Sequence, residues 1–419
     1  MINVFKFGGA SVKDADSVRN MASIVSNHLS DSLVVVISAM GKTTNAIERI
    51  HKLRFEGADY ADELSGLIAY HEKLVEELFD GNSSGLIALT EKIDEFEKKL
   101  SEPVGNNYDE EYDKLIGYGE LISTAIVHTY LKSQNISSQW FDARELIKTD
   151  NRFRDARVNW EESQDRMHTV SSALASGKVT IVQGFIGSTL QGQSTSLGRE
   201  GSDFTASILA FLLNATAVTI WKDVPGMLNA DPKKFKDTVK LDRISFKEAI
   251  ELAYYGASVI HPKTIKPLQN KGIPLHIKSF VDPQAEGSTI QENTDFDHLI
   301  PCYILKENQV LLSISTRDFS FIVEDNLKEI FDYLSSLGIR IHMMENSAIS
   351  FTIVFDEDTF KQEQLIDLLR KRYTVKYNAQ LTLVTIRHGA ENSAEAITSG
   401  SDILLEQKTR HTTRIVIKK

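Results

Sequence analysis

The stretch Val4-Phe-Lys-Phe-Gly-Gly-Ala-Ser-Val12 decides how this chain is read. An apolar strand runs into two glycines, with a lysine before them and a serine after. A Walker-type loop would carry its lysine after the glycines, and a dinucleotide fingerprint would need G-x-G-x-x-G; neither is here. The ingredients of a phosphate cradle are present all the same. Gly8 and Gly9 have no Cβ, so a ligand can approach the backbone closely. Their N–H groups can converge on an anion. Asp14 and Asp16 suit a helix start, and Val18, Met21, Ala22 and Val25 follow at helical spacing. The glycines then lie close to a helix N-terminus, where phosphate is favoured. An ordinary strand-to-helix turn with an exposed lysine accounts for the stretch equally well.

Working outward, Leu33-Val-Val-Val-Ile-Ser38 is a continuous apolar run of the kind a buried parallel strand shows. Residues 51–116 turn to Glu, Lys, Asp and Leu, with helical spacing at Leu64, Leu67, Ile68 and His71 and again at Leu86, Leu89 and Ile93. They read as a helical insertion, either a substrate lid or a solvated face. Glycines gather at 184–192 and 195–205, and six of the eight prolines fall between there and residue 283, which predicts short elements joined by sharp loops. Alternating strand and helix signals across residues 1–298 argue for an α/β sandwich with a mainly parallel sheet. After Pro301 a strand (310–315), a helix (325–336), two strands (340–344 and 348–355), a helix (362–370) and a strand (373–377) form one small α/β unit. Strand, helix, strand, strand then recur at 381–387, 393–398, 403–406 and 413–417. The pattern is a duplicated module, at 302–378 and 379–419, whose second copy is short.

Composition narrows the partners. A length of 419 residues suggests two or three domains, and 42% hydrophobic with 25% charged residues is ordinary globular usage. No apolar run approaches a membrane span, and no basic segment leads into a long apolar stretch as a secretory signal would. The single cysteine, Cys302, fits a reducing cytoplasm and excludes a cysteine zinc cluster. A net charge of −11 argues against a nucleic-acid surface, so any polyanion must be met locally, as at Lys6.

Four further pieces join the opening turn: Ser38-Ala-Met-Gly-Lys-Thr-Thr-Asn45, Gly117-Tyr-Gly-Glu-Leu-Ile-Ser-Thr124, Leu197-Gly-Arg-Glu-Gly-Ser-Asp-Phe-Thr205 and Trp221-Lys-Asp-Val-Pro-Gly-Met-Leu-Asn-Ala-Asp-Pro-Lys233. In order and spacing they resemble the aspartate kinases of the amino-acid kinase family, over the whole chain. The resemblance implies a three-layer α/β sandwich at 1–298 followed by C-terminal α+β regulatory modules of the ACT type. It implies ATP as co-substrate, L-aspartate as acceptor and 4-phospho-L-aspartate as product, at the entry to lysine, threonine, methionine and diaminopimelate synthesis. A fused homoserine dehydrogenase is not expected. A kinase for another amino acid, or a sensor that has lost its chemistry, is the competing reading. Retention of Lys6, Glu120, Arg199 and Asp203 weighs against the sensor.

The chemistry asks for what these residues supply. A carboxylate must attack a polyphosphate, so two anions have to be brought together, and phosphoryl transfer is mostly positioning plus charge neutralisation. Lys6 would stabilise the transferred oxygens, with Gly8 and Gly9 donating backbone N–H groups beside Phe7. In the family pattern Asp203 organises that lysine; as a residue it also suits an N-cap for a helix 204–213. Arg199 can clamp a carboxylate with two hydrogen bonds, Glu120 matches the residue that meets the substrate amino group, and Ser38, Thr44 and Ser202 offer hydroxyls. Lys222, Asp223, Leu228 and Lys233 match the nucleotide segment. No metal cage is apparent, so Mg²⁺ is expected to arrive on ATP.

Departures are few. Leu228 stands where an aromatic residue is common, Ser258 where lysine is common, and Glu200 replaces a usual glycine. Lys263 is a candidate substitute for the lysine missing at 258, and His261 reads as structural. In the first regulatory module His342 and Ala348 stand where lysine-sensitive members carry an aspartate and a glutamate. Glu345 and Ser347 remain as polar groups for an amino-acid effector. Open sheet edges in the modules favour a homodimer.

Overall fold

Short β-branched runs separated by helices at close intervals leave each strand parallel to its neighbours, with both faces to be covered. The computed structural model describes all residues except 258, 259, 319, 391 and 419. In chain order, β1 (Ile2–Phe7), α1 (Ala15–Ser26), β2 (Ser32–Ile37), α2 (Thr43–Phe55), α3 (Ala61–Phe79), α4 (Ser83–Leu100), α5 (Tyr108–Ile116) and α6 (Tyr118–Ser133) come first. They are followed by β3 (Ser138–Phe141), α7 (Ala143–Leu146), α8 (Trp160–Asp165), α9 (Met167–Ala175), β4 (Val179–Gln183), the hairpin β5 (Ile186–Ser188) and β6 (Ser194–Ser196), and α10 (Gly201–Leu213). Then come β7 (Ala217–Lys222), β8 (Arg243–Ser245), α11 (Phe246–Tyr255), α12 (Pro262–Lys271), β9 (Leu275–Ser279) and β10 (Ser288–Gln291).

The eight-stranded sheet has the order β3-β4-β2-β1-β7-β9-β10-β8, parallel except between β9 and β10. Every residue of β4, and every residue of β2 from Leu33 on, is buried, so both faces are covered. Helices α6, α9 and α10 pack on its central strands. The expected α/β class with a mainly parallel sheet is what forms. Among the described residues no helix is long and apolar enough to cross a membrane.

The helical stretch at 51–116 is a packed layer. α3 packs on α4, α4 on α6 and α2 on α5, with Leu67, Leu74, Leu78, Leu89, Ile93 and Phe96 buried. Its polar anchor is the Arg54–Glu111 pair at 2.9 Å, whose side chains are 5% and 2% exposed. Arg54 also donates to the carbonyls of Leu100 and Glu102. Tyr112 of this layer reaches back to Glu48 of α2.

The chain folds as two units: Met1–Met227, Lys240–Ile250 and Ser258–Phe296 make the first, and Leu228–Val239, Glu251–Ala257 and Asp297–Lys419 the second. Residues 228–239 and 251–257, expected within the first, group with the second. Specific bonds attach them there: Tyr303 N–H donates to the Asn229 carbonyl, Phe235 stacks on Tyr303, and Arg387 pairs with Glu251 at 3.2 Å.

The second unit holds β11 (Cys302–Thr316), α13 (Glu324–Ser336), β12 (Ile341–Asn346), β13 (Ser350–Asp356), α14 (Thr359–Arg370), β14 (Tyr373–Arg387), α15 (Ser393–Thr398), β15 (Asp402–Lys408) and β16 (Thr412–Lys418). They form one antiparallel sheet, β12-β13-β11-β14-β16-β15. The module boundary expected at 378/379 falls inside β14, which runs unbroken from 373 to 387. Its first half pairs with Leu311–Thr316 and its second half with Cys302–Gln309. The fourth strand that the short second copy lacks is thus supplied by the front half of β11. Replacing Arg54 by Met should lower the unfolding free energy by about 3 kcal/mol in urea titration, because breaking a buried pair strands its partner's charge.

Candidate active site

In an open parallel sheet, ligands bind beyond the carboxyl ends of the strands where the chain order reverses. Here that point is β1, which has β2 on one side and β7 on the other. Lys6 and Lys222 stand at the ends of β1 and β7, in the register that pairs Phe7 with Trp221. Between them lies Asp203, 3% exposed at its side chain, at 2.5 Å from the Lys6 Nζ and 3.3 Å from the Lys222 Nζ. Burial alone would raise the Asp203 carboxyl; the two ammonium groups outweigh it and hold it below the usual carboxylate range.

Asp203 is not the N-cap of its helix. α10 starts at Gly201, with Glu200 in the capping position at φ 54°, and Asp203 is the third helical residue. The carboxylate is therefore turned to the lysines, with the positive end of the helix behind it. The left-handed backbone at Glu200 also explains why glycine suits that position. Close approach governs Gly9 too: a Cβ there would sit 2.7 Å from the Ala39 carbonyl oxygen. The helix starts where Asp14 and Asp16 predict: α1 is capped by Asp14, which accepts from the Ser17 N–H at 2.8 Å, and a 3₁₀ turn at Gly9–Val12 links it to the glycines.

A cavity of about 540 Å³ opens beside this cluster. Of the expected residues, Lys6, Gly9, Ser38, Thr44, Glu120, Arg199, Ser202, Asp203 and Lys222 line it. Glu120, in the first turn of α6, is 3% exposed. One carboxyl oxygen accepts from the Ala39 N–H at 3.3 Å, and the other has no hydrogen-bond partner. Burial pushes this carboxyl up to about 8, against the pull of the Ala39 N–H and the Lys6 charge. An ammonium brought into the cavity would satisfy both the orphan oxygen and the missing charge.

Other expected residues lie elsewhere. The Phe7 ring is fully buried, stacked on Trp221 at 6.1 Å and edge-on to Phe280, so only its backbone faces the turn. Gly8 and Asp223 are outside the cavity lining, and Leu228 and Lys233 belong to the segment grouped with the second unit. Ser258 lies outside the described residues. Lys263 is bound to Asp155 and is not itself a lining residue, and His261 caps α12 by accepting from the Lys263 N–H. Conversely, Gly41, Glu48, Tyr112, Arg154, Phe185 and Ser196 line the cavity without having been singled out. Gly41, Phe185 and Ser196 sit in loop and glycine-rich stretches that the sequence already marks, whereas Glu48, Tyr112 and Arg154 carry no local signal.

The comparisons agree with this fold. Residues 1–279 match the model of the amino acid kinase family. Lysine-sensitive aspartokinase 3 of Escherichia coli (strain K12) is 31% identical over 396 residues, covering 92% of this chain and 86% of its own. Bifunctional aspartokinase/homoserine dehydrogenase 1, chloroplastic, of Arabidopsis thaliana is 29% identical over 385 residues, and the chain spans 42% of that protein's length. The crystal structure of E. coli aspartokinase III with aspartate and ADP superposes with a TM-score of 0.82 at 27% identity, covering 100% of this chain and 96% of that one. The same enzyme with lysine and aspartate gives 0.81 at 28% identity, covering 99% and 95%. The chain belongs to the amino acid kinase family. The relatives named here are aspartokinases.

A buried carboxyl held near 8 has a thermodynamic signature. Below its ordinary 4.5 both folded and unfolded chains hold the proton; between 4.5 and about 8 only the folded chain does, so its stability falls with rising pH. Relative to Glu120→Gln, the wild-type protein should lose stability between pH 5 and pH 8 in urea unfolding. A difference that does not change with pH would contradict the burial argument.

Proposed function

We propose that this chain transfers the γ-phosphoryl group of ATP to the β-carboxylate of L-aspartate, giving 4-phospho-L-aspartate and ADP. The observation that carries the reading is the pairing, in one cavity, of the Lys6–Asp203–Lys222 cluster with a buried Glu120 that has an orphan oxygen. The E. coli relative that contains aspartate and ADP supports it. The attacking carboxylate is already ionised and needs no base. Lys6, with its position set by Asp203, neutralises charge on the transferred oxygens, and Gly9 offers its backbone at the same wall. Glu120 receives the substrate ammonium. Arg199 takes a substrate carboxylate in two-pronged fashion, while Ser38, Thr44 and Ser202 supply hydroxyls. Lys222 and Asp223, with Gly8 and the Phe7 backbone, serve the nucleotide. Mg²⁺ enters with ATP, held mainly by phosphate oxygens and water. A cytoplasmic setting accords with the single buried cysteine.

The test is ATP turnover with hydroxylamine present to trap acyl phosphate. Hydroxamate should form with aspartate and not with glutamate; trapping with neither acceptor would defeat the reading. Lys6→Met should keep the fold and lose about 100- to 1000-fold in kcat, the range for one preorganised electrostatic donor.

The second unit is read as the regulatory half, with the outer strands β12 and β15 offering edges to a second copy in a homodimer. Its charges do not suit lysine. His342, 9% exposed at its side chain, pairs with Asp356 at 2.8 Å, and the Lys306 ammonium lies 3.4 Å from its ring nitrogen. Glu345 is exposed on β12, and Ser347 is tied to Ser350 at 2.6 Å. A second ammonium next to Lys306 would lack a buried counter-charge. Lysine alone at sub-millimolar concentration should leave the initial rate nearly unchanged at aspartate near its KM. Strong inhibition would show that another acidic group, Glu345 first, completes a lysine site.

A further inference from the structure

Three residues with side chains adopt left-handed backbone in the wall of this one cavity: Arg154 at φ 65°, Phe185 at φ 71° and Glu200 at φ 54°. That conformation is unfavourable for a residue with a Cβ, and it concentrates at functional sites where the surroundings over-determine it. Arg154 shows what holds it. Its N–H donates to an Asp113 oxygen at 2.9 Å, and the same carboxylate accepts from the Ser196 N–H at 2.8 Å and the Ser196 hydroxyl at 2.6 Å. Asp113 is 1% exposed on α5, so the helical layer fixes the backbone at 154 from below.

The side chain is presented outward. Its guanidinium lies 4.3 Å from the centroid of the Tyr112 ring, and Tyr112 is itself pinned by its hydroxyl donating to Glu48 at 2.7 Å. The ion pair to Asp109, at 3.3 Å, is 44% and 54% exposed, so it is solvent-screened and readily exchanged. A Cβ on Gly198 would come within 3.0 Å of the Arg154 carbonyl oxygen, so this segment abuts the residue just before Arg199. Glycine would take the backbone at 154 without strain. The backbone at 154 is secured by Asp113 through the Arg154 N–H, independently of the guanidinium, whose own contacts are the Tyr112 ring and the exposed Asp109 pair.

We propose that Arg154 is a second carboxylate-binding residue for the acceptor, acting beside Arg199 and leaving Asp109 when substrate enters. The inference rests on the acceptor being an amino acid with two carboxylates. One carboxylate is consumed at Lys6, and the other requires a cation with planar donors. Arg154 sets selectivity for an acceptor of that length and charge. It is a substrate-binding residue and takes no part in the transfer itself.

The experiment compares Arg154→Gly, Arg154→Lys and Asp109→Asn in the full chain. It measures initial rates against aspartate and against ATP, together with melting temperature. Arg154→Gly should melt no lower than wild type, raise the KM for aspartate about tenfold, the worth of one charge-assisted hydrogen bond, and leave kcat and the KM for ATP nearly unchanged. Arg154→Lys should recover only part of the loss. Asp109→Asn, which removes the competitor, should lower the KM for aspartate. An unchanged aspartate KM in Arg154→Gly overturns the assignment, as does a rise confined to ATP. If Arg154→Gly proves unstable, an aspartate KM unmoved or raised in Asp109→Asn overturns it. Wild-type enzyme that traps no hydroxamate with aspartate overturns the acceptor reading instead, and this assignment with it.

Discussion

The buried carboxylate of Asp203 between two ammonium groups is the constraint on which the rest of the catalytic unit depends. It joins three elements at one point: the end of β1 through Lys6, the end of β7 through Lys222, and the first turn of α10. A lone carboxylate there would carry a heavy desolvation cost, and a lone lysine would do the same. The β1–β7 ladder sets the spacing of the strand ends, and the ion cluster ties the first turn of α10 across them. The turn at Gly9, the loop 38–44 and the hairpin leading into Arg199 then have a rigid frame to close upon.

The charge in the cavity follows from that frame. Its lining carries Lys6, Arg154, Arg199 and Lys222 against Glu48, Glu120, Glu200 and Asp203. Asp203 is held below the usual carboxylate range by its two lysines, while burial pushes the Glu120 carboxyl up to about 8. Burial thus disfavours the charge on one of the four acids facing four cations, and a chain with net charge −11 keeps a site that can meet anions. The same burial makes Glu120 a responsive group, because an incoming ammonium restores the charge that solvent withdrew.

Much of this was legible in the chain, and the limits have physical causes. Lys6, Glu120, Arg199 and Asp203 stand in short contiguous motifs whose chemistry is carried by neighbours in sequence. Glu48 and Tyr112 reach the cavity from α2 and α5, which pack together, and Arg154 from a loop held by Asp113 of α5, arrangements that no local pattern encodes. The helical layer was recognised as helical, but its role as a packed wall depends on the buried Arg54–Glu111 pair across 57 positions. In the second unit most strands were read, but the front of β11 at 302–309 was not, and the continuity of β14 was missed. Asn308 and Gln380 both take left-handed backbone, at φ 55° and 57°, near the shifts in the β11–β14 register. These are bulges, which bend a strand without ending it. Polar residues at such positions read as turns, so one long strand looked like two.

The exchange of strand halves has a consequence for the order in which the second unit assembles during synthesis. Cys302–Lys306 finds its ladder partners only in Leu383–Arg387. The β13 strand pairs no earlier than Gln309. When the first half of the unit has emerged, β12, β13 and the back of β11 can already pair around α13. The front of β11 must wait for a segment about eighty residues later, and that segment is completed on its other side by β16 near the chain's end. Loop closure over such a span is slow compared with local pairing. The stretch Cys302-Tyr-Ile-Leu305, met earlier through the contacts of Tyr303 with Asn229 and Phe235, therefore completes its ladder late, and the unit locks as a whole instead of module by module.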